Sequence, residues 1–170
     1  MTSLPDHGSI FWFTALLPTT GPPATTKRDA VRAPPCRVLV VDDNTINQIV
    51  VQALLKKDGH EVVLASNGAQ AVEAVQAGHL DIVLMDMQMP VMNGEEATRA
   101  IRQLSSTVRN IPIVALTANA MAEDIQRCRE AGMNDHLAKP IDRELLRRAL
   151  TVWAPTAQSP NAGSNVSRSN

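Results

Sequence analysis

DIVLMDMQMPVMNG, residues 81–94, decides how the rest of the chain is read. Ile82-Val83-Leu84-Met85 is an unbroken apolar run, the pattern of a strand buried on both faces in a parallel sheet. It stops at a carboxylate, Asp86, and Pro90 and then Asn93-Gly94 follow, residues that turn a chain. An acid at the C-terminal end of a buried strand stands where open α/β sheets place their ligands. An Asp that caps a helix or shapes a turn gives the same local pattern, so the rest of the chain has to decide.

Outward from this stretch the same unit repeats. Arg37-Val38-Leu39-Val40-Val41 is a β-branched strand ending in Asp42-Asp43-Asn44. Asn44 or Thr45 caps a helix that runs to about Asp58 and stops at Gly59. Glu61 to Ala65 is a second short strand, and a helix over 69–77 closes at Gly78. After the 81–85 strand comes a helix from about Gly94 to Leu104. Ile113 to Leu116 is a strand leading into Thr117-Ala118-Asn119, and a helix over 122–131 closes at Gly132. A weak strand over 135–138 ends in Lys139-Pro140, and Asp142 caps a last helix reaching about Val152. Strands alternating with helices in this way predict an α/β fold around a parallel sheet with right-handed crossovers.

The flanks read differently. Residues 1–17 hold an apolar-aromatic segment, Phe11-Trp12-Phe13, with no partner strand nearby in the sequence. Residues 18–35 (PTTGPPATTKRDAVRAPP) have the composition of an extended linker, and residues 154–170 that of a disordered tail.

Composition narrows the function classes. The 170 residues carry 16 basic and 17 acidic side chains, a net charge of −1, which leaves no electrostatic footprint for nucleic acid or for a membrane surface. Two Trp, two Phe and no Tyr require an aliphatic, Met-containing core. No stretch approaches the roughly 18 continuous apolar residues of a membrane span. Cys36 and Cys128 lie far apart without metal-ligand spacing, which suits a reduced, cytoplasmic chain.

The polar residues at the strand ends, Asp42-Asp43, Asp86, Thr117 and Lys139, would meet in one crevice if the strands are ordered 2-1-3-4-5. Three carboxylates together repel one another, and a divalent cation makes them tolerable; an oxygen-only set suits Mg²⁺. A carboxylate beside a cation, an ammonium and a hydroxyl is equipped to attack phosphorus and carry an aspartyl phosphate.

These motifs resemble those of response-regulator receiver domains of the CheY-like class. The residues that carry the resemblance are Val40-Val41-Asp42-Asp43-Asn44, Met85-Asp86-Met87-Gln88-Met89-Pro90, Asn93-Gly94, Leu116-Thr117-Ala118-Asn119 and Lys139-Pro140. The match covers about residues 36–153. It implies a flavodoxin-like (βα)5 doubly wound sheet in the order 2-1-3-4-5, with Asp86 as phosphoacceptor. It also implies Mg²⁺ held by Asp43, Asp86 and the Gln88 backbone carbonyl, with Asp42 acting mainly through water. Thr117 and Lys139 would hold the phosphoryl oxygens. The family usually places Tyr or Phe three residues before the lysine as a switch; here His136 stands there, so the aromatic half of a Thr117-based switch is altered.

Two stretches are similar to receivers attached to hybrid histidine kinases: Asp42 to Gln48 and Gly132 to Ile141. Residues 8–14 resemble the last strand of a histidine-kinase ATP-binding domain, which makes residues 1–17 a kinase remnant. No phosphohistidine helix or nucleotide box accompanies it, so this chain is not expected to bind ATP. The implied partners are a kinase phosphohistidine domain or a histidine phosphotransfer protein. On the first helix, Val50, Val51, Leu54 and Leu55 can fill the core stripe, leaving Ile46, Ile49 and Ala53 on an adjoining face. That face, with Pro140, would suit docking of a helical phosphohistidine donor, although a wide core face explains the same spacing.

Other readings fit less well. A stand-alone response regulator acting by protein contact remains open. A haloacid-dehalogenase-like phosphatase wants a second Asp two residues after the nucleophile, where this chain has Gln88. A DNA-binding regulator would need an output domain after Val152. A flavodoxin-type cofactor site would meet acids, not a Gly-rich loop, after the first strand.

Overall fold

The computed structural model describes residues 2–3, 9–10, 33–118 and 121–154. The sheet consists of β1 (Arg37–Val41), β2 (Glu61–Ala65), β3 (Ile82–Asp86), β4 (Ile113–Thr117) and β5 (Asp135–Ala138). All four pairings are parallel and the order is β2-β1-β3-β4-β5, as the family resemblance implied. Five helices alternate with them: α1 (Thr45–Lys57), α2 (Gly68–Ala77), α3 (Gly94–Arg102), α4 (Ala122–Ala131) and α5 (Arg143–Trp153).

Alternation along each strand splits the apolar residues between two layers. Val38, Val40, Ile82, Leu84, Val114 and Leu116 face α1 and α5, meeting Val51, Leu55, Leu146 and Leu150. Leu39, Val41, Val83, Met85, Ile113 and Ala115 face the other helices, meeting Ala71, Val75, Ala97, Ile101 and Cys128. Because β1, β3 and β4 are inner strands covered on both faces, they read as continuous apolar runs. Both cysteines are free and buried, one in each layer, with the sheet between them.

The helix ends follow their side chains. Asn44, Asn67 and Asp142 each accept a hydrogen bond from a first-turn backbone N–H, and Asn93 with Glu96 forms a capping box at α3. Gly132 closes α4 with φ 95°, a left-handed turn that costs glycine nothing. At the start of β1 the Cys36 thiol lies 3.1 Å from Nδ1 of His60. Burial, with Asp81 nearby, pushes Cys36 up to about 11, and burial holds His60 below its ordinary value against the pull of Asp58. The contact is one of neutral groups.

Three expectations need correction. The apolar pattern puts Val50 in the core stripe of α1, but Val50 is 51% exposed; Gln48, Val51 and Leu55 are the buried residues. Gln48 takes the inward place because its side-chain amide donates to the Asp42 and Ala65 carbonyls at 2.7 and 3.0 Å. A short 3-10 turn, Thr107–Asn110, precedes β4 and has no apolar period to announce it. Thr2–Ser3 pairs antiparallel with Ser9–Ile10, so the leader does contain a strand partner. Residues 1–30 form a unit of their own, apart from residues 31–170. The rest of the leader, residues 18–32 of the linker, Asn119 and the tail from 155 lie outside the described residues; Ala154 packs in the core.

Asp58, just past α1, ties that helix to α5. Its carboxylate accepts from Arg143 at 2.6 Å and from Arg147 at 2.7 and 2.8 Å. The hydrogen bond from Arg147 comes first in holding the acid well below the usual carboxylate range; burial opposes it and Arg143 adds to it. An acid depressed in the folded state stabilises the fold above its unfolded value near ~4, and that stability fades as the pH falls further. Asp58→Ala should therefore lower the melting temperature at pH 7 by roughly 5 °C. The gap from wild type should narrow as the pH is taken from about 4 toward 2. A gap independent of pH would remove the ion pair from the account.

Candidate functional site

Each strand of the contiguous block β1-β3-β4-β5 delivers a polar group at or just past its C-terminal end. Carboxylate oxygens of Asp42, Asp43 and Asp86 lie within 4.8 Å of one another. Asp42 and Asp86 are buried and Asp43 is exposed. Lys139 reaches in from the end of β5, its Nζ 2.8 Å from Asp42 Oδ2 and 2.7 Å from Asp86 Oδ2. Its backbone N–H donates to the Thr117 carbonyl at 2.8 Å, which fixes the base of the side chain. Five residues named from the sequence are thus brought to one crevice.

The charge balance is incomplete. Three carboxylates face one ammonium, leaving a net negative patch. Burial raises Asp86 above the ordinary carboxylate range, while the Lys139 hydrogen bond and charge and the Gln88 N–H pull it back. Burial alone would lower Lys139, but the hydrogen bonds and charges of Asp42 and Asp86 outweigh it, so the ammonium is held above its ordinary value. The Gln88 N–H donates to Asp86 Oδ1 at 3.3 Å, placing that backbone at the rim.

Thr117 Oγ1 is buried and has no hydrogen-bond partner. A buried hydroxyl without a partner is costly unless something else arrives to accept from it. The donor set (oxygen ligands, net negative, partly open at Asp43) fits a hard divalent cation such as Mg²⁺. The orphaned hydroxyl fits an oxyanion beside it.

Two residues at the site escape a reading based on strand ends. Asn47, in the first turn of α1, donates to both oxygens of Asp42 at 3.1 and 3.2 Å. Gly94 opens α3 directly under Asp86. The spacing of Asn47 five residues after Asp42 is the available sign of the first, and the Asn93-Gly94 pair that of the second.

The other named residues are not among these five, although Pro140 borders the crevice. His136 is half-buried on β5 in a small cleft with Ile125, Cys128 and Arg129 of α4, 3.8 Å from the Asp135 carboxylate. Ile46 and Ile49 are 70% and 58% exposed, and Ala53 is exposed too, so the adjoining face of α1 is not part of the core. Pro140, joined to Lys139 by a cis peptide bond, is exposed. It lines a cleft of ≈180 Å³ with Asp42, Asn47, Val50, Lys139 and Ile141.

The sequence of residues 38–151 matches the profile of the response regulator receiver domain. The chain belongs to the response-regulator receiver family. Among similar proteins, this receiver is 45% identical over 139 residues to the sensor protein GacS of Pseudomonas syringae pv. syringae, covering 81% of this chain and 15% of that one. It is 40% identical over 117 residues to the sensor histidine kinase RcsC of Escherichia coli K12, covering 69% and 12%. The receiver therefore spans about a seventh or less of the length of these relatives.

Among solved structures, it is similar to the receiver domain of the sensor histidine kinase PA1611 from Pseudomonas aeruginosa PAO1. The TM-score is 0.66 at 44% identity, over 71% of this chain and 98% of that one. That receiver holds a magnesium ion coordinated in its active-site cleft. It is also similar to the receiver domain of the Saccharomyces cerevisiae response regulator Ssk1, seen in complex with the histidine phosphotransfer protein Ypd1. There the TM-score is 0.66 at 35% identity, over 71% of this chain and 90% of that one.

Proposed function

We propose that this receiver takes a phosphoryl group from a phosphohistidine onto Asp86, in the cytoplasm, and relays it or loses it to water. The observation that carries the reading is the trio of carboxylates within 4.8 Å of one another, with Lys139 bridging two of them. In the transfer an Asp86 oxygen forms a bond to phosphorus as the phosphorus–nitrogen bond breaks, and the electron pair returns to the donor imidazole. Lys139, already within hydrogen-bond distance of Asp86, would follow the charge onto a phosphoryl oxygen. Thr117 would donate its unpartnered hydroxyl to another. Mg²⁺, held by Asp43, Asp86 and the Gln88 carbonyl with Asp42 through water, would offset the charge that gathers on the phosphoryl group. What the protein supplies is position and neutralisation, which is what a dissociative phosphoryl transfer needs.

The similarity to sensor kinases favours a place in a hybrid histidine kinase over a stand-alone regulator. On this reading the exposed α1 face (Ile46, Ile49 and Ala53), with Pro140, docks the helix that carries the phosphohistidine. The experiment separates docking from chemistry. Ile49→Asp should slow transfer from a phosphorylated histidine phosphotransfer protein by about 10-fold or more. Labelling by acetyl phosphate should stay at the wild-type rate. Equal losses with both donors would remove the docking face from the account.

A further inference from the structure

Asn47 is the third helical residue of α1, a place from which side chains commonly reach back to the N-cap backbone. Here Asn44 serves the Ile46 N–H with its own side chain, and Asn47 turns to Asp42 instead. Its amide nitrogen lies 3.1 Å from Oδ1 and 3.2 Å from Oδ2. The Asn44 backbone N–H takes Oδ1 at 2.9 Å and Lys139 takes Oδ2 at 2.8 Å. Asp42, at 1% exposure, is therefore held from three sides. Below it, Gln48 pins the Asp42 carbonyl, so side chain and backbone are both fixed by the first turn of one helix.

We infer that Asn47 is a positioning residue for the divalent-ion site, acting through Asp42; this rests on the Mg²⁺ reading above. The choice of side chain follows from charge. A lysine or arginine at this place could also hold the carboxylate, but its charge would compete with the cation for the same negative patch. An aspartate would add a fourth acid and lose the donor. A neutral amide restrains Asp42 and leaves the net charge of the crevice unchanged. Partners that orient ligands in this way typically matter about 10-fold or more for metal affinity.

A double-mutant cycle read on Mg²⁺ affinity by titration calorimetry tests this, using the full chain. Asn47→Ala should bind Mg²⁺ about 10-fold more weakly than wild type. In an Asp42→Asn background the same change should leave the affinity within about 2-fold, because the residue it acts through is already altered. Melting in chelator checks that each variant is folded; if Asn47→Ala is not, Asn47→Ser, too short to span both oxygens, is read in the same way. An equal loss in both backgrounds, or no loss in the first, overturns the positioning role while leaving Mg²⁺ binding in place. A wild-type chain that does not bind Mg²⁺ overturns the reading beneath it as well.

Discussion

Gly94→Ala should cost the domain ~3 kcal/mol and lower its melting temperature by roughly 12 °C. A methyl group at Gly94 would overlap the backbone carbonyl oxygen of Asp86 and stand 3.1 Å from the carbonyl carbon and from Met85 Cγ. The obstacle is main chain, so no side-chain rotation relieves it. Either the start of α3 lifts away, breaking the Gly94 N–H bond to the Met87 carbonyl, or Asp86 moves. Both distort the crevice, and phosphorylation should fall even well below the melting transition. Thermal unfolding by circular dichroism checks the first half and acetyl phosphate labelling at low temperature the second. A melting temperature within about 2 °C of wild type would show that the contact relaxes freely.

Lys139→Met should slow phosphorylation by about 100-fold or more while tightening Mg²⁺ binding. The ammonium bonds Asp42 and Asp86 at 2.8 and 2.7 Å, so it is a competitor for the carboxylates that would hold the ion. Removing it leaves a more negative patch for a cation and one donor fewer for the phosphoryl oxygens. Burial, now opposed less, would raise Asp86 further above the ordinary carboxylate range in the absence of a cation. The two effects have opposite signs, which separates them from simple loss of structure. A variant in which affinity and rate both fall would assign Lys139 a structural role instead.

How much of this was legible in the sequence depends on the range of each interaction. Asp42, Asp86 and Thr117 stand out because each ends or follows an apolar strand, and Lys139 because it follows the weak strand 135–138; the strand register then brings them together. The five strands, the caps Asn44 and Asp142 and the glycine helix ends were legible for the same local reason: buried runs and turn residues leave a pattern within a few positions. Asp58 was not, since its arginines are 85 and 89 positions away and nothing local marks the pairing. Asn47 reads as an ordinary first-turn residue until the direction of its amide is known. Val50 misleads because α1 is apolar over more than its inward face, and pattern alone cannot tell a wide core stripe from a core stripe beside an exposed one. Gly94 looks like a turn residue, yet its φ is not left-handed; what excludes a side chain is the carbonyl beneath it.

The central claim is that Asp86 becomes a phosphate carrier within a patch of negative charge that a divalent ion neutralises. Intact-mass measurement of wild type and Asp86→Asn, each incubated with acetyl phosphate and Mg²⁺ or with chelator, tests it most directly. The account predicts a single phosphoryl adduct on the wild type with Mg²⁺, and none on Asp86→Asn or in chelator. An adduct on both proteins, or one formed equally well without the metal, would contradict it.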